Sequence, residues 1–260
     1  MSLSQEPAYS VLKDELVCGY ADISKESYAG FSGKHEIGGQ AINTTNGAGP
    51  HNLQTFILAS DGTVLHCLPG YWNPTDLVRE IGFAARLHDI WTNPALSEGQ
   101  KRTMFRNLHL AHHNEHPAAM VKRSKMQGFD QKYEAKHRLA SSDTILDSRL
   151  AAQSLVPGHP TPQAAFKTTD QIMHDRMASR PFVPYSKFDT ADFVDYGRPK
   201  YDKNEDFRNA NGVITDPEAA RKQELLGQVP EKKNRKKRMM RRVVNTAGRG
   251  VINYGIRALR

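Results

Sequence analysis

The densest pattern of apolar and polar positions runs from Gln54 to Ile81, QTFILASDGTVLHCLPGYWNPTDLVREI. Gln54 to Ala59 and Thr63 to Leu68 are short apolar runs, and Asp61-Gly62 between them is a strong hairpin-turn signal. Gly70 ends the second run. Asn73-Pro74 then supplies an N-cap and a proline suited to the first helical position. Beyond it Leu77, Ile81, Ala84 and Ala85 recur at helical spacing, so the segment predicts strand, turn, strand and an amphipathic helix with one apolar face on a sheet. Upstream, Tyr9, Leu12 and Leu16 give helical spacing over 9–16, and Val17 to Ile23 reads as a strand.

Downstream the periodicity weakens. Ser97 is an N-cap candidate, Leu96 a staple beside it, and Pro117 a stop, which predicts a helix from Ser97-Glu98 to His116 with Met104, Leu108 and Ala111 as its apolar stripe. Shorter amphipathic segments fall near Lys132 to Leu139 and Thr144 to Leu155. From Val156 to Glu218 the chain is rich in proline, aspartate and arginine. It predicts an extended arm with short helices near Thr168 to Ala178 and Thr190 to Phe193. The arm's aromatics (Phe182, Tyr185, Phe188, Phe193, Tyr196, Tyr201 and Phe207) imply docking on its own domain or on a partner protein. Between Ser24 and Asn52 lies a glycine-rich connection (Gly30, Gly33, Gly38, Gly39, Gly47, Gly49) without a phosphate-loop pattern, read as a binding loop or a mobile one.

The Gln54–Ile81 pattern, with its spacings from Gly62 to Gly70 and from Gly70 to Leu77, resembles the second half of the thioredoxin fold: the closing hairpin and the C-terminal helix. The resemblance implies that the 9–16 helix and the 17–23 strand follow the place of a Cys-x-x-Cys loop. The chain begins at Met1 with about eight residues before that helix and has no such motif. Its two cysteines, Cys18 and Cys67, each fall inside an expected strand, where a thiol acts as a small buried hydrophobe rather than a reactive thiolate. The position equivalent to the family's cis-proline is Gln54, where a cis bond would cost about 3 kcal/mol.

The expected fold class is therefore α/β: a partial thioredoxin-like sheet with flanking helices, plus a long, mostly helical and irregular C-terminal extension. The expected division is 1–91 as the thioredoxin-like domain lacking its first half, 92–155 as a helical extension, 156–218 as the arm and 219–260 as a basic tail. The functional expectation is a scaffold or interaction module without a redox dithiol or other catalytic residues of its own. An N-terminally truncated thiol-disulfide oxidoreductase, its dithiol upstream of Met1, is the first alternative.

Charge adds another. Residues 230–260 hold eleven Lys/Arg against one acid, and the other 229 residues hold 25 against 27. The excess is concentrated in EKKNRKKRMMRR, residues 231–242, through Lys232, Lys233, Arg235, Lys236, Lys237, Arg238, Arg241 and Arg242. Such a run binds RNA or an anionic membrane surface by charge neutralisation, without base stacking because no aromatic interleaves with it. With 38% hydrophobic residues, part of the chain is expected to lack a core. There is no apolar run long enough to span a membrane and no signal-peptide pattern, which leaves a cytoplasmic location as the expectation.

One cluster carries metal chemistry. HLAHHNEHP places His109, His112 or His113, and His116 at offsets of three, four and seven, three imidazoles on one helix face at the spacing of a zinc site. His88 and Glu115 are candidates to complete it. The arrangement lacks the glutamate position of HExxH, which excludes that protease class, and GxSxG is absent too. The competing reading is a solvated helix end where histidines favour the macrodipole. Asp189, Asp192 and Asp195, at three-residue spacing in the arm, read as surface ion pairs.

Overall fold

The structure is a computed structural model that describes residues 2–23, 25–26, 28–29, 45–47, 53–156, 162–198 and 218. The chain divides into units 1–201 and 202–260. The basic run 231–242, Tyr201, Phe207 and most of the glycine-rich connection lie outside the described residues.

The class is mixed α/β. A two-stranded antiparallel sheet, β1 (Gln54–Leu58) and β2 (Val64–Pro69), is flanked by helices. In the hairpin turn the Asp61 carboxylate accepts from the Thr63 backbone N–H, and Gly62 takes φ +81°, a conformation that costs glycine little. Asp61 also accepts from the Trp91 indole. The register pairs Phe56 with Cys67 and Ile57 with His66, and it slips at a bulge between Ile57 and Leu58.

All six residues of β2 are buried, because helices pack on it from two elements: α2 (Pro74–Thr92) and α7 (Thr169–Ala178). Asn73 caps α2 by accepting from the Thr75 N–H, with Pro74 at the first helical position. Its buried face is Leu77, Glu80, Ile81, Phe83, Ala84, Leu87 and Ile90, while Ala85 is exposed. The next helix, α3 (Glu98–His112), opens with a capping box. Ser97 accepts from the Gln100 N–H, and the Gln100 side chain accepts from the Ser97 N–H.

The remaining helices are α1 (Ala8–Asp14), α4 (Ala118–Arg123), α5 (Gly128–Arg138), α6 (Ser148–Gln153) and α8 (Thr190–Phe193). The expected short helices of the arm are α7 and α8, and that arm is not peripheral. Phe182, Phe188, Phe193 and Tyr196 are buried, and the first three belong to the main apolar cluster with β2 and α2.

Two expectations are corrected. Val17 to Ile23 is not a strand: it pairs with nothing among the described residues, and Val17 and Tyr20 are fully exposed. Strand formation needs a partner ladder as well as an apolar run. Cys18, on this stretch, is therefore exposed, whereas Cys67 is buried as expected; both are free thiols. The stripe on α3 holds only in part: Leu108 is half-buried and packs against the main apolar cluster. Met104 and Ala111 face solvent, and the buried face is Phe105, His109 and His112.

The arm is held by Arg176 of α7. Its guanidinium forks onto Asp143 (2.8 and 2.7 Å), donates to the backbone carbonyls of Asp192, Phe193 and Asp195, and lies over the Tyr196 ring. Of the three arm aspartates, Asp189 caps α8, Asp192 pairs with Arg180 at the surface, and Asp195 pairs with Arg138 in a mostly buried position rather than an exposed one. Replacing Arg176 with methionine keeps the volume and orphans those carbonyls. Arg176→Met is expected to lower unfolding free energy by about 3 kcal/mol, read from urea denaturation.

Candidate metal centre

The histidine face of α3 is built by the helix period. Phe105, His109, His112 and His116 follow one another at intervals of four, three and four, which returns each to the same side. The α-helix ends at His112, a 3₁₀ turn covers His113–Glu115, and extended backbone at His116 turns it back inward before Pro117 caps α4. Opposite stands Glu80, one turn after Leu77 on the buried face of α2. His174 comes from α7, one turn after Asp170, and His66 from the buried strand β2.

These side chains meet around the Glu80 carboxylate. Its Oε2 lies 2.8 Å from His66 Nε2 and 3.4 Å from His174 Nε2, and its Oε1 lies 3.2 Å from His116 Nε2 and 3.5 Å from His112 Nε2. One ligand atom each from Glu80, His112, His116 and His174 falls within 4.8 Å of all the others. For a tetrahedral ion with bonds near 2.0–2.1 Å the distance between neighbouring ligand atoms is about 3.3 Å. The observed carboxylate–imidazole separations bracket that value. Glu80 Oε1 and the Nε2 atoms of His112, His116 and His174 are all buried and have no hydrogen-bond partner among the described residues. Buried polar atoms normally make a hydrogen bond; these four instead gather around one carboxylate at 3.2–3.5 Å without making one, an arrangement that suits ligands to a shared ion.

Each imidazole has a neighbour on its other nitrogen. His116 Nδ1 is 2.7 Å from Asp170 Oδ2, His174 Nδ1 is 2.9 Å from His109 Nδ1, and His112 Nδ1 is 3.1 Å from the Arg86 guanidinium and 3.5 Å from Glu115 Oε2. The walls are aromatic. Phe83 stacks on His112 with centroids 4.0 Å apart, and Phe105 and Phe83 flank His109.

Burial is the largest influence on His174 and lowers it to about 4, against the pull of Glu80. Burial likewise takes His109 well below its usual range, aided by His66 and His174. Both are thus neutral, the form in which imidazole binds metals. Burial also lowers His116, but the hydrogen bond to Asp170 and the adjacent Glu80 carboxylate outweigh it and raise it to about 9. Burial pushes Glu80 up, and the surrounding imidazoles, His174 first, overcome this and hold it well below the usual carboxylate range. Two buried carboxylates, Glu80 and Asp170, are matched in charge by one divalent cation.

The candidates from the sequence separate clearly. His112 and His116 are in the cluster, and His109 lies one layer behind it. His113 points elsewhere, His88 is outside, and Glu115 is mostly exposed and pairs with Arg86. The reading of a solvated helix end is corrected, since His109, His112 and His116 are buried. Gln54, at the start of β1 opposite Pro69, has a trans peptide bond.

Sequence reasoning missed Glu80, His174, His66 and Asp170. The available signal was register: Glu80 occupies the apolar face of α2, and His66 interrupts an apolar strand. Comparison with family models, curated proteins and solved structures gives no match for the chain.

Replacing Glu80 by glutamine keeps the shape and removes the charge. Glu80→Gln is expected to bind zinc at least tenfold more weakly, and its metal-free form is expected to melt below metal-free wild type at neutral pH, because the imidazoles that hold Glu80 ionised lose the charge they answer. Zinc titration and thermal melts with and without metal check both parts.

Proposed function

We propose that this chain is a metal-binding protein whose Glu80–His112–His116–His174 centre holds one divalent ion and clamps α2, α3 and α7 together as a structural scaffold. The observation that carries this reading is the set of four buried ligand atoms, none of them hydrogen-bonded, within 4.8 Å of one another. Three imidazoles and a carboxylate are the donor set of first-row transition ions, and zinc takes four such ligands most readily. The side chains are 0% (Glu80, His174), 2% (His116) and 10% (His112) exposed. Four protein ligands in so closed a place leave no coordination position for a substrate, which favours a structural role over a catalytic one.

The energetic case agrees. Structural zinc contributes on the order of 10 kcal/mol to folding where the site forms only in the native state. A chain with modest hydrophobic content gains much from such a contribution. The scaffold reading also accommodates a thioredoxin-like origin for the 54–92 segment, supported by its hairpin, the positive φ at Gly70 and the Asn73-capped helix.

Elemental analysis of the purified full chain is expected to find about one zinc per chain. Chelation is expected to lower the melting temperature, and added zinc to restore it. A chain that takes up no zinc, nickel, cobalt or iron from stoichiometric solutions, with a melting temperature indifferent to all of them, would sink the reading.

A further inference from the structure

A histidine that ligates a metal through Nε2 carries its remaining proton on Nδ1, and an acceptor there fixes both the tautomer and the plane of the ring. Two of the three imidazoles have such an acceptor, and in each case it comes from the helix that bears the other ligand. His116 follows the 3₁₀ turn beyond α3 and meets Asp170 of α7 at 2.7 Å; His174 of α7 meets His109 of α3 at 2.9 Å. Building on the metal-centre reading, we propose that His109 and Asp170 are positioning residues, a crossed pair in which α3 orients the ligand of α7 and α7 orients the ligand that follows α3.

Three observations point to this role rather than to ordinary core packing. First, His109 is fully buried among Phe83, Phe105 and other rings, a place that suits phenylalanine. Its Nε2 has no partner among the described residues, so its hydrogen bonding is confined to the His174 contact. Second, two nitrogens 2.9 Å apart need one proton between them. With His174 Nε2 committed as a ligand atom, that proton sits on His174 Nδ1, and His109 must present a lone pair at Nδ1. The geometry therefore specifies the His109 tautomer. Third, Asp170 shows the same economy: Oδ2 faces His116, while Oδ1 is buried without a partner. Each residue retains an unsatisfied buried atom, a cost of about 1–3 kcal/mol, for one bond to a ligand.

The test is zinc affinity of the full chain, measured by competition with a chromophoric chelator, in wild type, His109→Phe, His109→Asn, His109→Gln, Asp170→Asn and Asp170→Leu. Loss of an orienting partner is expected to weaken binding by about tenfold to a hundredfold, so His109→Phe and Asp170→Leu fall in that range. Asparagine can place its oxygen where Nδ1 stood, whereas glutamine reaches only the Nε2 position. His109→Asn is therefore expected to recover most of the affinity and His109→Gln to recover little. Asp170→Asn, which retains an acceptor, is expected to weaken binding less than Asp170→Leu.

Equal affinity in His109→Phe and wild type, or equal losses in His109→Asn and His109→Gln, would overturn the proposal while leaving the metal centre standing. Should His109→Phe fail to fold, the asparagine–glutamine comparison decides alone. A wild-type chain that binds no zinc overturns the centre and the crossed pair together.

Discussion

A carboxylate with no contact with water is costly to place in a protein, by several kcal/mol even after relaxation, and Glu80 is such a group. Much of the architecture follows from how that charge is answered. Its partners come from β2, from α3 and the turn after it, and from α7, elements separated by up to about a hundred residues in sequence. No local propensity brings them together. The carboxylate is compensated only when the helices and the hairpin are assembled, so its burial makes folding of these elements interdependent. A divalent ion strengthens the same coupling because it binds the assembled set and not the separate pieces.

The core around this charge is correspondingly unusual. Where a helix–sheet interface would stack aliphatic residues, His66 and His109 pack face to edge with Phe83, His109 lies tilted against Phe105, and His112 stacks flat on Phe83. Aromatic rings tolerate imidazole because both are flat and polarisable, and ring pairs add about 0.5–1.5 kcal/mol beyond buried area. The centre is thus continuous with the apolar cluster. An isolated two-stranded hairpin is marginal in water. Here α2 and α7 both pack on β2, and His66 ties it to Glu80. The sheet is stabilised from its covered face and by the same charge that orders the helices.

Local chemistry was legible in the sequence and long-range chemistry was not. The Asp61-Gly62 turn, the Asn73-Pro74 helix start and the Ser97 cap are each decided by residues within a few positions of one another, and each forms where its pattern predicts. The short helices α7 and α8 were marked in the same way. The buried face of α3 was misjudged because histidine counts as polar: of Met104, Leu108 and Ala111 only Leu108 reaches the core, while the inner face is Phe105, His109 and His112. Val17 to Ile23 had strand composition but no partner strand. Half of the candidate centre was visible as His112 and His116, since they lie four residues apart at and just beyond the end of α3. Glu80 and His174 lie on different elements, and only tertiary packing makes them neighbours.

The position of His112 separates a closed centre from an open one. Of the four ligand side chains it alone approaches solvent, and Arg86 and Glu115 stand over its Nδ1. A ligand bound through Nε2 presents Nδ1–H outward, which Glu115 can accept and which Arg86, itself a donor, cannot. Arg86 has somewhere else to go, because Glu115 lies 3.7 Å away and the Phe83 ring lies beneath its guanidinium. The outer rim is therefore already arranged to release His112 to the ion without exposing it. The inner ligands need no such adjustment, since Asp170 and His109 already face their Nδ1 atoms. On the proposed reading, inner ligands already held and a single outer ligand with a ready acceptor favour retaining an ion over exchanging it for substrate.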